Sequence, residues 1–149
     1  MITTGVGLLL FNQEGKIMVV RELRDKPVIL KRAGMLSFPL ETWKPQIDRD
    51  FSDTLRRLME EELGGEFPCE DLRLFGVWSV IPLTVTIVFT ARYCGRTDAK
   101  FTSKDSDVEV VGWVSPPDLL QNSVRREVAP VMDELLARRS RPESNACLR

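Results

Sequence analysis

The stretch Ser52–Gly65, SDTLRRLMEEELGG, constrains this chain more than any other. Advancing about 100° per residue, a helix through it gathers Leu55, Leu58, Met59 and Leu63 on one apolar face and turns Glu62 into that face, about 20° from Leu55. An ionised carboxylate buried without a partner normally protonates, finds a countercharge or coordinates a cation. Glu60, Glu61 and Glu62 also crowd the helix C-terminus, where each acid costs about 0.3–1 kcal/mol against the helix dipole. A solvated acidic face beside Arg56 and Arg57 accounts for Glu60, and for Glu61 through an i,i+4 contact with Arg57 of about 0.2–0.5 kcal/mol. Glu62 strains that account, because no basic residue of the helix shares its face. A cation site or a salt bridge from elsewhere in the chain would answer it. Ser52 or Asp50 serves as N-cap, and Gly64-Gly65 is a strong stop.

The rest of the composition narrows the chemistry. The chain has no histidine among 149 residues, which removes Ser-His-Asp and Cys-His catalysis, histidine-ligated zinc and histidine acid-base chemistry together. Oxygen-liganded hard cations such as Mg2+ or Mn2+ suit the remaining side chains best. A net charge of -1 argues against a nucleic acid polymer as partner, and no apolar run reaches the ~20 residues of a membrane helix. Cys69, Cys94 and Cys147 are odd in number and form no C-x-x-C pair, as expected of free thiols in a reducing compartment. The N-terminus has no basic region before its apolar segment, so a cytoplasmic address is expected.

Along the chain, Gly5–Phe11 and Ile17–Arg21 read as two strands around the turn Asn12-Gln13-Glu14-Gly15. A basic, irregular loop follows to Met35, then a brief extended piece at Leu36–Pro39 and a polar loop over Glu41–Arg49. After the helix, Leu72–Ile81 and Leu83–Tyr93 read as strands able to pair as a hairpin or meander. Val108–Val114 is a further strand, ending at Ser115-Pro116-Pro117. Val124, Val128, Val131, Met132 and Leu135 mark a second helix that Pro130 must kink or restart. The order of strands, helix, strands, helix predicts a single α/β domain over residues 1–139 with a mixed sheet, followed by a polar tail at 140–149 expected to be frayed.

The chain resembles the Nudix hydrolases. Their box runs Gly, five residues, Glu, seven residues, Arg-Glu-U-x-Glu-Glu-x-Gly-U, with U aliphatic. Its second half is similar to Arg57-Leu58-Met59-Glu60-Glu61-Glu62-Leu63-Gly64-Gly65. GVGLLLFNQEGKIMVVRE looks like the family's opening hairpin, Ser37-Phe38-Pro39 stands before the position of its paired glycines, and VVGWVSPPDLL is similar to its late strand and turn. Several positions depart: Pro39-Leu40-Glu41 replaces Pro-Gly-Gly, Arg49 stands where an acid is expected between Asp48 and Asp50, Leu58 replaces the Glu after the box Arg, and Gly65 takes the last aliphatic place.

The resemblance implies a Nudix-like α/β/α sandwich and a metal-dependent hydrolase that cleaves a diphosphate linkage in a nucleoside diphosphate derivative by activated water. It assigns Glu61, Glu62 and Arg57 to catalysis, with Glu61 and Glu62 on Mg2+ or Mn2+ and Arg57 orienting Glu61. Asp105, Asp107 and Glu109 are candidates for a further ligand or base, Glu109 being assigned to the metal. Arg21, Lys31 and Arg32 are candidate phosphate contacts, and Trp43 either stacks on a base or packs on the sheet. Trp78 and Trp113 are assigned to the core or the sheet face. A small nucleotide-like substrate and a homodimer complete these expectations. Leu58 motivates the alternative, a catalytically weakened nucleotide-binding or regulatory module.

Overall fold

A computed structural model describes residues 1–141, so Cys147 and most of the tail lie outside the described residues. Strand β1, Thr3–Phe11, is almost continuously apolar because both of its faces are covered: Leu9 and Phe11 enter one core, while Val6, Leu8 and Leu10 enter another. The turn after it closes on local chemistry. Asn12 Oδ1 accepts from the backbone N–H groups of Glu14 and Lys16, each at 3.0 Å, and Gly15 supplies a φ of 76°. In β2, Ile17–Glu22, the alternation continues, with Ile17 and Val19 in the first core and Met18 and Val20 in the second.

The remaining elements are β3 (Leu36–Ser37), β4 (Leu40–Thr42), α1 (Phe51–Leu58), β5 (Cys69–Trp78), β6 (Thr84–Tyr93), β7 (Val108–Val114), α2 (Pro116–Leu119) and α3 (Val128–Arg139). A 3-10 turn at Pro27–Ile29 punctuates the basic loop, and a π-helical turn at Met59–Leu63 extends α1. The mixed sheet runs β3-β2-β1-β6-β5, with β4 added beside β1 and β7 beside β2. β1 and β6 pair in parallel and the other pairs are antiparallel. Leu55, Leu58 and Leu63 close one face of the sheet; Val128, Val131, Met132 and Leu135 of α3 close the other. The result is an α/β/α sandwich. Among the described residues, no helix is long and apolar enough to cross a membrane.

Several elements differ from the sequence expectation, each for a local reason. The polar segment after Pro39 begins with β4, whose residues Leu40, Glu41 and Thr42 pair with Gly7, Val6 and Gly5. Three residues carry no readable periodicity, so only the neighbouring strand reveals them. Strand β5 starts three residues early and carries irregular register around Asp71, which adopts a φ of 56°. The Pro116-Pro117 segment, expected only to end the late strand, opens the short helix α2, with Ser115 Oγ accepting from Asp118 N at 3.3 Å. Helix α3 starts at Val128 rather than Val124. Pro130 therefore sits in its first turn, where a missing N–H leaves no intrahelical bond unmade.

Candidate functional site

Asp50 is the N-cap of α1, its carboxylate accepting from Asp53 N at 3.2 Å. At the other end the helix widens into the π turn and stops at Gly64, whose φ is 92°. The orphan carbonyls there are met by the loop before β7. Glu61 O accepts from Lys104 N at 2.8 Å and Asp105 N at 3.1 Å, and Leu63 O accepts from Thr102 N at 3.2 Å. This loop thereby offsets part of the electrostatic cost of ending a helix in three acids.

The three acids have three different surroundings. Glu60 is exposed and pairs with Lys104. Glu61 is also exposed, and its carboxyl is near enough to that of Glu41 on β4 to raise it. Glu62 turns inward as its periodicity predicts, only 6% exposed, with Oε2 buried and lacking a hydrogen-bond partner among the described residues. Burial, with Asp105, Glu22 and Glu41 adding negative charge, raises its carboxyl to about 8, although Lys31 opposes the shift. Glu41 rises to about 7, first through burial and then through Glu61 beside it. Ordinary salt bridging does not relieve this excess of negative charge, because the nearby cations are engaged elsewhere. Lys31 Nζ lies 2.8 Å from Glu22 Oε2, inside a buried network in which Arg125 reaches Glu22 at 3.1 Å and Glu127 at 2.8 Å.

Arg57 is held firmly, but by partners other than the expected Glu61. Its Nε and Nη2 donate to the buried Asp48 at 2.9 and 2.6 Å, and Nη2 also donates to Thr42 O at 2.8 Å. Asp48 is fixed in turn by Lys44 N at 2.9 Å and Thr54 Oγ1 at 3.0 Å. The guanidinium holds the Asp48 carboxyl well below the usual range despite burial. Arg57 Nη1 lies 3.5 Å from Glu41 Oε1, and Glu61 contributes to the electrostatic field at Arg57 without a direct bond.

Other expected site residues are distributed around this centre. Glu109 faces Arg21 across the β2–β7 ladder and the two form an ion pair at 2.7 Å. Asp107 pairs with Arg24 and Lys26 at 2.9 and 3.0 Å, so Asp105 is the acid of that loop whose charge acts on Glu62. Lys31 is buried on Glu22 rather than presented on a surface loop. Arg32 is exposed, with its backbone N–H on Met35 Sδ at 3.4 Å. Trp43 packs against the α1-side core, edge to face with Phe51 at 5.8 Å, which is the sheet-packing alternative. Trp113 also packs there and Trp78 packs against the other core. Cys69 and Cys94 are free thiols, and burial pushes Cys69 up to about 11.

Sequence reasoning missed Glu41, and it named Asp48 only as a neighbour of Arg49, not as the partner of Arg57. Both lie on a segment read as a polar loop, and the available signal was the departure from Pro-Gly-Gly at Glu41 and the acid pair flanking Arg49. Among the described residues no group of three or more Cys, Asp or Glu side chains stands ready to hold an ion. The donor set nevertheless fits a hard cation: the orphaned Oε2 of buried Glu62 and the Glu61 carboxylate are oxygen donors at one helix end with the neighbouring cations occupied.

A family model described as NUDIX domain matches residues 1–138 of this chain. The NUDIX domain of Shewanella oneidensis NrtR, solved in complex with ADP ribose, superposes with a TM-score of 0.71 at 16% identity, covering 93% of this chain and 88% of that one. MutT NUDIX hydrolase from Burkholderia pseudomallei gives 0.69 at 18% identity, with 91% and 98% covered. MutT protein from Methanosarcina mazei Go1 gives 0.68 at 15% identity, with 94% and 96% covered. No curated protein sequence matches the chain.

Proposed function

Because this chain belongs to the NUDIX domain family, we propose that it is a divalent-cation-dependent hydrolase of nucleoside diphosphate-linked compounds. The observation that carries this reading is Glu62, an acid turned into the protein at a helix end with its Oε2 buried and unpartnered. Glu61 and Glu62 would hold Mg2+ or Mn2+, which when bound neutralises phosphate oxygens and lowers the pKa of an attacking water. Arg57, locked on Asp48 and Thr42 O, anchors α1 to the segment between β4 and α1, and so fixes the helix end that presents Glu61. Arg32, exposed on its loop, suits a substrate phosphate, and Arg21 does so once released from Glu109. Glu109, so released, and Asp105 are the further acids close in sequence to the loop that caps the helix.

ADP-ribose is the first substrate to test, since a similar NUDIX domain was solved with it. In a panel of nucleoside diphosphate sugars and dinucleotides, release of nucleotide is expected to require Mg2+ or Mn2+ and to stop with EDTA. Glu62→Gln should lower kcat/KM at least about 100-fold, corresponding to the loss of roughly 2.7 kcal/mol of transition-state stabilisation. No cation-dependent turnover across the panel would remove the reading.

Leu58 favours a second reading. It is fully buried in the α1-side core at the position where the family resemblance places a carboxylate. A nucleotide-binding module with little catalysis would accommodate that. Calorimetry showing nucleotide binding that is indifferent to divalent cations would select it.

A further inference from the structure

The loop that caps the end of α1 has a second surface. Residues 97–102 stand across from β7 and enclose a cleft of about 360 Å³, a volume in the range of small-molecule sites. On β7 a bulge shifts the register, so that Val110 lies opposite Val20 and Gly112 opposite Val19. Gly112 takes a φ of 120° and has nothing within 4 Å of the place a Cβ would occupy, which leaves bare backbone beside open space. Phe101 and Trp113 form the walls, their ring centroids 5.7 Å apart and their planes 86° apart. Further rings hold both in place, with Phe67 at 4.2 Å from Phe101 and Tyr93 at 5.5 Å from Trp113. Two ring planes at a right angle form a corner in which a flat ring stacks on one face and meets the edge of the other.

The polar groups around this corner are uncommitted. Lys100 is exposed and forms no ion pair among the described residues, whereas Asp98 beside it is held by Arg96 at 2.9 Å. The Trp113 indole N–H and the hydroxyls of Thr97 and Thr102 have no hydrogen-bond partner among the described residues. An aromatic corner with one free cation and several neutral donors suits a heteroaromatic ring that carries an anionic group.

We propose that this cleft binds a nucleoside monophosphate at a site separate from the hydrolytic centre, with the base against Phe101 and Trp113 and the phosphate on Lys100. The choice of ligand rests on the hydrolase reading, because adding water across the diphosphate linkage of a nucleoside diphosphate derivative releases a nucleoside monophosphate. The site itself rests on the cleft. None of Glu41, Glu61, Glu62 and Asp105 lines it, and along β7 Gly112 and Trp113 lie about 10–13 Å from Glu109, toward the β1–β2 hairpin. The two places share one loop. Thr102 borders the cleft and donates its N–H to Leu63 O at 3.2 Å, so a ligand there bears on the cap of α1.

The test is a titration of AMP into the isotopically labelled full-length chain in EDTA, followed by NMR. The Trp113 indole N–H and the amides of Lys100 and Phe101 are expected to shift saturably, while the Trp43 and Trp78 indoles stay in place. Adenosine and ribose 5-phosphate, each lacking one half of the ligand, should bind at least about tenfold more weakly, as should AMP to Lys100→Glu. The unliganded spectrum of Lys100→Glu checks its fold, and Glu62→Gln should bind AMP like wild type. An unmoved Trp113 indole, or undiminished affinity in Lys100→Glu, overturns the proposal. Loss of AMP affinity in Glu62→Gln also overturns it, since the cleft would then belong to the hydrolytic centre. Cation-dependent turnover without AMP in the cleft removes the site and leaves the hydrolase reading; AMP in the cleft without such turnover does the reverse.

Discussion

Leu58 and Glu62, four residues apart on the helix through the box, show how much depends on where a single side chain points. Both are directed inward, and both are nearly or fully buried. Leu58 satisfies that burial by packing with Leu55, Leu63 and the sheet, whereas Glu62 leaves an oxygen unpartnered. Restoring an acid at position 58 therefore meets the core before it meets the site. Leu58→Glu is expected to lose about 3 kcal/mol or more, combining lost apolar packing with a buried unpaired carboxylate, as read from urea unfolding. A variant of wild-type stability with increased cation-dependent turnover would show that the side chain can leave the core. The inward direction of Glu62 is legible in the sequence because it depends on neighbours three and four residues away. The position of Glu41 is not, since its partner Glu61 lies on a different element, far along the chain.

The end of α1 is defined jointly by the helix and by the loop before β7. A Cβ added at Gly64 would lie 2.1 Å from Thr102 O, and the φ of 92° is itself unfavourable for an L side chain. Gly64→Ala is expected to cost about 2–3 kcal/mol and to push the loop away from the carbonyls of Glu61 and Leu63. Denaturant melts measure the first effect, and faster amide exchange at Thr102, Lys104 and Asp105 measures the second; unchanged exchange at all three would contradict the account. The glycine stop was readable from sequence, as was the apolar face of α1. The π turn that follows α1 was not, because its hydrogen-bond pattern reflects how the terminal carbonyls meet the 102–105 loop as well as helix propensity. β4 escaped for a similar reason, its pairing with β1 being the only thing that makes it a strand.

For the molecule as a whole, the acid cluster sets how stability varies with pH. Glu41 and Glu62 are raised from the ordinary 4.5 to about 7 and about 8. Between about pH 4.5 and 8 the folded chain therefore binds more protons than the unfolded chain, and unfolding free energy falls as pH rises. Asp48 works oppositely: its lowered pKa contributes stability above its ordinary 3.8 that is lost only in stronger acid. In EDTA the unfolding midpoint is expected to be lower at pH 8 than at pH 5.5, with a flatter profile in Glu62→Gln. Saturating Mn2+ should recover most at pH 8, where ligand deprotonation no longer competes with binding. A midpoint in EDTA that rises across this range would contradict the assignment.

The sequence by itself determined the mixed α/β architecture, the two helical faces, the inward Glu62 and the resemblance to the NUDIX family, because each depends on periodicity or on spacing within one short segment. The tertiary structure decided which charges meet. Arg57 finds Asp48 instead of Glu61, Arg21 finds Glu109, Lys31 is drawn into the interior by Glu22, and Glu41 arrives beside Glu61 on a three-residue strand. These pairings arise when the sheet brings separate elements within a few ångströms, and electrostatic interaction follows that distance in space rather than separation along the chain.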